Sequence, residues 1–111
     1  MTKPPYIFDV TDYEGRQVVF VAKKWQEKKE DHPELGKKSF LDALKKAITD
    51  PDEVWDDYAD KSHRRCYYKK YSQNSYVKAV VWISGNPREV VTAYEINSVK
   101  ETRYPNLKRH R

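Results

Sequence analysis

Few side chains in this 111-residue sequence can move a proton without help from a cofactor. His32 closes a Lys/Glu-rich stretch immediately before Pro33, and Thr92 and Tyr94 stand two apart in a β-rich run that ends near Ile96. Residues two apart on a strand share a face, so helices laid on that face at the His32 end would enclose His32, Thr92 and Tyr94 in one pocket. Cleavage of RNA by its own 2′-OH requires a base, an acid and a cation against the phosphorane, and His, Arg, Tyr and Thr can supply these. The plainer reading stands beside it: a His at a helix end packs or caps, and Thr and Tyr are ordinary strand residues.

Larger chemistries are excluded. No Gly-x-x-x-x-Gly-Lys-Ser/Thr, Gly-x-Gly-x-x-Gly, Gly-x-Ser-x-Gly or His-Glu-x-x-His motif occurs, and three glycines cannot build a nucleotide-cradling loop. Cys66 is alone, which removes an internal disulfide and a Cys-based zinc site. No apolar run reaches transmembrane length, and the Lys-bearing amino terminus lacks the apolar stretch of a signal peptide. A reducing cytoplasm and chemistry without cofactor or metal are the expectations.

The charge is unevenly distributed. The sequence has 22 Lys and Arg against 17 Asp and Glu, but six of the acids fall between Asp50 and Asp60, leaving 11 acids against the 22 bases elsewhere. Residues 61–78 carry Lys61, Arg64, Arg65, Lys69, Lys70 and Lys78 without an acid, interleaved with Tyr67, Tyr68, Tyr71 and Tyr76. Cations for phosphates and flat rings for unpaired bases are what single-stranded RNA asks of a sheet. The same strand would also serve as a charged, protected sheet edge, since period two puts Arg64, Cys66, Tyr68 and Lys70 on one face and Arg65, Tyr67, Lys69 and Tyr71 on the other. The acidic run could hold Mg²⁺, yet helix starts favour acids and no Asp-x-Asp-x-Asp-Gly loop is present.

The elements that must position these residues follow from the patterning. Tyr6–Val10 and Gln17–Val21 flank a turn at Tyr13-Glu14-Gly15-Arg16 and read as a hairpin. A short helix spans Ala22 to Asp31, with Val21, Trp25, Lys28 or Lys29 and His32 on one stripe, and Pro33 ends it. Ser39 and Asp42 suggest a capping box for a second helix that buries Phe40, Leu41, Leu44, Ala47 and Ile48 and stops at Asp50-Pro51. Residues 52–58 fit a helical turn or an irregular lead-in. Three extended segments, Arg64–Tyr71, Tyr76–Ile83 and Glu89–Ile96, form an antiparallel meander, with Val90, Thr92, Tyr94 and Ile96 on one face of the last. The expected class is α+β: an N-terminal β-hairpin and one or two helices packed on an antiparallel β-meander. Residues 97–111 carry five bases against Glu101 and read as a mobile basic tail.

Read in order, Gly15-Arg16-Gln17-Val18-Val19-Phe20, His32-Pro33-Glu34-Leu35 after Trp25, Ile48-Thr49-Asp50-Pro51-Asp52-Glu53-Val54, Tyr67-Tyr68-Lys69, Val77-Lys78-Ala79-Val80-Val81 and Val91-Thr92-Ala93-Tyr94 form a series. It resembles the phage-associated domains of the barnase, EndoU, colicin E5/D and RelE-like (BECR) nuclease superfamily, over about residues 6–96. The resemblance implies a nuclease-like domain at 1–96 followed by the basic tail at 97–111. It implies a metal-independent ribonuclease, toxin-like or associated with a phage or mobile element, that leaves a 2′,3′-cyclic phosphate. By the same resemblance His32 is the acid or base, Arg64 or Arg65 stabilises the phosphate, Thr92 lines the site, and Tyr94 stacks or hydrogen-bonds. The implied partners are RNA, met by Lys61, Tyr67, Lys69, Lys70 and Lys78, and an acidic antitoxin or immunity-type protein, with no membrane. The alternative is a non-catalytic module that binds nucleic acid or protein on the same fold.

Overall fold

The computed structural model describes residues 6–111; the Lys-bearing amino terminus lies outside the described residues. Strands β1 (Tyr6–Thr11) and β2 (Gln17–Val21) form the hairpin. Its turn closes because the Asp12 carboxylate accepts the backbone N–H groups of Glu14 and Arg16 at 2.9 and 3.0 Å, and because Gly15 takes the left-handed φ of +84°. Helix α1 (Ala22–Asp31) follows β2 without a loop, and a 3₁₀ turn at Pro33–Gly36 carries the chain into α2 (Lys38–Thr49).

Helix α2 buries Phe40, Leu44, Ala47 and Ile48, as the 3.6-residue spacing requires, but the capping box does not form. Lys37 occupies the cap position without a side-chain hydrogen bond, and Ser39 lies inside the first turn, its hydroxyl 3.5 Å from that of Tyr71. The segment left open by periodicity contains a strand, β3 (Glu53–Asp56), and the meander follows as β4 (Arg64–Ser72), β5 (Ser75–Trp82) and β6 (Arg88–Ile96). The class is α+β, with a six-stranded sheet ordered β1-β2-β6-β5-β4-β3. The hairpin joins the meander through one parallel pairing, limited to Val18↔Arg88 and Val19↔Glu89. Beyond Glu89 the chain of β2 departs into α1, leaving the edge of β6 open along the residues that matter below.

One sheet face carries the main core, where Phe8, Val18, Phe20, Val54, Tyr67, Val77, Ala79, Val81, Val90 and Ala93 pack with α2 and Leu35. Each fully buried side chain of this size contributes about 1.5–3 kcal/mol. The second face holds a smaller cluster of Cys66, Tyr68 and Val80, with Val91, Ile96 and Val99 against it. The mobile-tail expectation is corrected here. Arg109 bridges to Trp55, the Val54 N–H donates to the Arg111 carbonyl at 3.1 Å, and the His110 N–H donates to the Val54 carbonyl at 2.7 Å. β3 is too short to protect its own edge, and the carboxyl-terminal residues pair with it instead. No helix among the described residues is long and apolar enough to cross a membrane.

Candidate active site

The His-Pro-Glu-Leu segment places His32. Pro33 starts the 3₁₀ turn, and Leu35 is fully buried in the main core. The Leu35 carbonyl accepts the Trp25 indole N–H at 2.8 Å. The Glu34 carboxylate accepts the backbone N–H of Glu95 at 3.0 Å, which satisfies a donor on the open edge of β6 and ties the turn to it. His32 is thereby held with its ring flat on Tyr94, centroids 4.8 Å apart and planes 22° from parallel. Its side chain makes no capping bond to either flanking helix. Among the described residues, no hydrogen-bond partner takes either of its ring nitrogens, and the residue is partly exposed.

Cross-strand register decides which arginine shares that face. Arg64 lies opposite Trp82, Cys66 opposite Val80 and Tyr68 opposite Lys78, while Val80 lies opposite Thr92 and Lys78 opposite Tyr94. Directly opposed residues share a face, so Arg64, Thr92 and Tyr94 belong to the second face and Arg65 to the first. Arg65 points into a cluster at the hairpin end, its guanidinium 2.7 Å from Glu14. Arg64 pairs with Asp57 at 3.1 Å. The expectation that Val90, Thr92, Tyr94 and Ile96 form one row is corrected at its first member. The register shifts between Val80 and Val81, whose partners are Thr92 and Val90, so a bulge at Val91 turns Val90 into the main core and Val91 toward the second face.

The middle of the second face is closed to substrate. Tyr68 is fully buried and Lys78 only 9% exposed, both beneath a 3₁₀ turn at Lys100–Arg103. The buried Glu101 carboxylate from that turn accepts the Tyr68 hydroxyl and lies 3.3 Å from the Lys78 ammonium. Burial, then the Glu101 hydrogen bond, pushes the Tyr68 phenol far above its usual range; burial also pushes the Cys66 thiol up to about 12, leaving it a structural thiol. For Lys78 burial alone would lower the pKa, but the surrounding Cys66, Glu101 and Tyr94 outweigh it and the value rises.

Two residues expected to contact nucleic acid are thus corrected. Tyr67 is fully buried on the α2 side, where its hydroxyl donates to Asp12 at 2.9 Å, and Lys78 is buried and paired. Neither presents a surface to a base or a phosphate. Lys69 is drawn to Asp50 and Asp52 at 3.5 and 3.3 Å. Lys61 and Lys70 are exposed, over the rings of Tyr58 and Tyr76 respectively. The charge asymmetry of the sequence also cancels in space. All six carboxylates of residues 50–60 meet partners: Asp50 with Arg111 and Lys69, Asp52 with Lys69, Glu53 with Arg109, Asp56 with His110, Asp57 with Arg64, and Asp60 with His63.

Helix α1 flanks the open side of β6, with His32 stacked on Tyr94 just past its carboxyl end; the strip between this pair and the start of α1 is the candidate cleft. At the other end a cavity of about 330 Å³ is lined by Lys24, Arg64, Trp82, Glu89, Val90 and Val91. Lys24, Trp82, Glu89 and His63 are functional candidates that sequence reasoning missed. The available signal was Trp82, a large ring at a strand end on the polar parity of β5. His63 stacks on it with centroids 5.0 Å apart and planes 8° from parallel. Asp60 orients His63 at 2.9 Å, and that hydrogen bond holds the Asp60 carboxyl below its usual range.

Neither a curated protein nor a solved structure matches this chain. A family model, phage-Barnase-EndoU-ColicinE5/D-RelE like nuclease 2, matches residues 8–111. That span includes the carboxyl-terminal segment folded onto the second face as well as the sheet, and the chain belongs to this nuclease family.

Proposed function

We propose that the protein is a metal-independent RNA endonuclease whose reaction takes place in the cleft between α1 and the second face of β6. The observation that carries this reading is His32, held flat on Tyr94 with unpartnered ring nitrogens on the face that also presents Thr92 and Arg64. In the reaction the 2′-OH loses its proton, its oxygen attacks the adjacent phosphorus, and the 5′-oxygen leaves protonated, giving a 2′,3′-cyclic phosphate. His32 carries one of these protons, and packing on Tyr94 fixes the ring for that transfer. Arg64 stands toward the start of α1, at the other end from His32, where its guanidinium can meet two oxygens of a neighbouring substrate phosphate at once. Thr92 and Tyr94 supply hydroxyl groups along the same wall.

The pairing of the acidic run with cations and histidines supports a reaction without metal, because those carboxylates already have partners. The cationic residues beside the cleft also suit an acidic inhibitor protein, whose carboxylates would stand in for phosphates. Arg64 and Arg65 separate the two faces experimentally. With single-stranded RNA in EDTA, wild type should yield fragments, Arg64→Ala should raise KM about tenfold through loss of a charged phosphate contact, and Arg65→Ala should cleave near the wild-type rate. Equal effects in both variants, or intact RNA with wild type, would overturn the assignment.

A further inference from the structure

The cavity at the far end of the cleft has features that the chemistry at His32 does not use. Trp82 is 37% exposed, unusual for a ring of that size in a domain whose other sheet aromatics are mostly packed. It is also held in place: Asp60 fixes His63 at 2.9 Å, and the His63 ring backs the indole at 5.0 Å. An aromatic ring that is exposed yet immobilised loses little entropy when a second flat group stacks on it. Around the same cavity stand two cations, Lys24 from α1 and Arg64 from β4, and one acceptor, Glu89, directly opposite Trp82 in the β5–β6 register. Val91, which the bulge turns toward the second face, supplies the apolar floor beside the buried Val90. At about 330 Å³ the space is at the small end of ligand pockets.

A stacking ring, cations for a phosphate and an acceptor for an amino group are the recognition chemistry of one unpaired nucleotide. Lys24 lies near the start of α1 and His32 just past its end, so the helix spans the distance between this cavity and the reaction centre. At 1.5 Å per residue the eight residues from Lys24 to His32 rise about 12 Å, which a short stretch of single strand bridges. We propose that this cavity is a nucleotide subsite, where a base of the single-stranded substrate stacks on Trp82 and its phosphate meets Arg64 and Lys24. The proposal rests on the reading of the cleft as an RNA site. Glu89 can only accept hydrogen bonds, so it favours a base whose exposed edge carries an amino group over uracil.

The test uses a single-stranded RNA with one 2-aminopurine, whose fluorescence falls on stacking, and the full chain as wild type, Trp82→Ala, Trp82→Phe and Lys24→Ala, each checked for native circular dichroism. Trp82→Ala should raise KM about tenfold with kcat little changed and abolish the quenching, and Trp82→Phe should restore most of both. Lys24→Ala should reduce the salt dependence of binding by about one phosphate contact. Cleavage by wild type with the same KM and quenching in Trp82→Ala would overturn the subsite and leave the nuclease reading standing. Neither binding nor cleavage by wild type would overturn both.

Discussion

His32→Ala should lower RNA cleavage by about 10²–10⁴-fold, the range over which a positioned acid or base accelerates proton transfer, while the domain stays folded. The separation of the two effects follows from what the side chain touches. The backbone of His32 donates to the Lys28 carbonyl at 2.9 Å and accepts from Leu35 at 3.0 Å, and both bonds survive truncation at Cβ. The ring itself contacts Tyr94, an aromatic pair worth about 0.5–1.5 kcal/mol. Thermal unfolding and cleavage rate, measured on the same preparation, check both halves. A variant that cleaves at the wild-type rate would remove His32 from the chemistry, and one that unfolds would make it the packing residue of the plainer reading.

Asp12→Ala should cost about 3–5 kcal/mol of stability, the usual penalty for leaving a buried charge without its partner. The Asp12 side chain is fully buried and receives four hydrogen bonds. Two come from the hairpin backbone; the Tyr67 hydroxyl gives one at 2.9 Å and the Arg88 guanidinium another at 2.7 Å. Arg88 also reaches Glu14 at 3.1 Å, so one carboxylate joins the hairpin turn, β4 and the start of β6 at the only place where β2 and β6 pair. Burial, then Asp12, pushes the Tyr67 phenol far above its usual range, and Arg88 is raised because its acidic partners outweigh its own desolvation. Stability of a domain this size is about 5–15 kcal/mol, so urea unfolding should show a large fall in midpoint. Asp12→Asn keeps acceptors for the turn and should fall between. A loss under about 1 kcal/mol in Asp12→Ala would mean the network is not what joins hairpin to meander.

The α+β class was legible because its signals are local. The period-3.6 row from Phe40 to Ile48 and the turn residues between the last three strands each act within a few positions. The His-Pro-Glu-Leu segment was legible as a motif, though not for its reason, since the bond from Glu95 to Glu34 joins residues 61 apart. What stayed hidden was non-local or broke a period. The parallel β2–β6 pairing has no sequence signature, and the bulge at Val91 reverses a face that strict alternation assigns. Tyr67, Tyr68 and Lys78 looked like a binding surface because composition does not show what lies on top. Asp12 covers the first polar group and Glu101 the other two, each from a distant segment. The basic tail looked free for the same reason, its partners being the acids around β3.

The central claim is metal-independent cleavage of RNA through its own 2′-OH, and the ends of the products test it most directly. Purified protein is incubated in EDTA with a labelled single-stranded RNA and with the all-deoxy strand of the same sequence, and the fragments are analysed by mass. The proposed chemistry predicts 2′,3′-cyclic phosphate ends from the RNA and an intact DNA strand. Intact RNA, or fragments from either strand that carry 5′-phosphates, would contradict it.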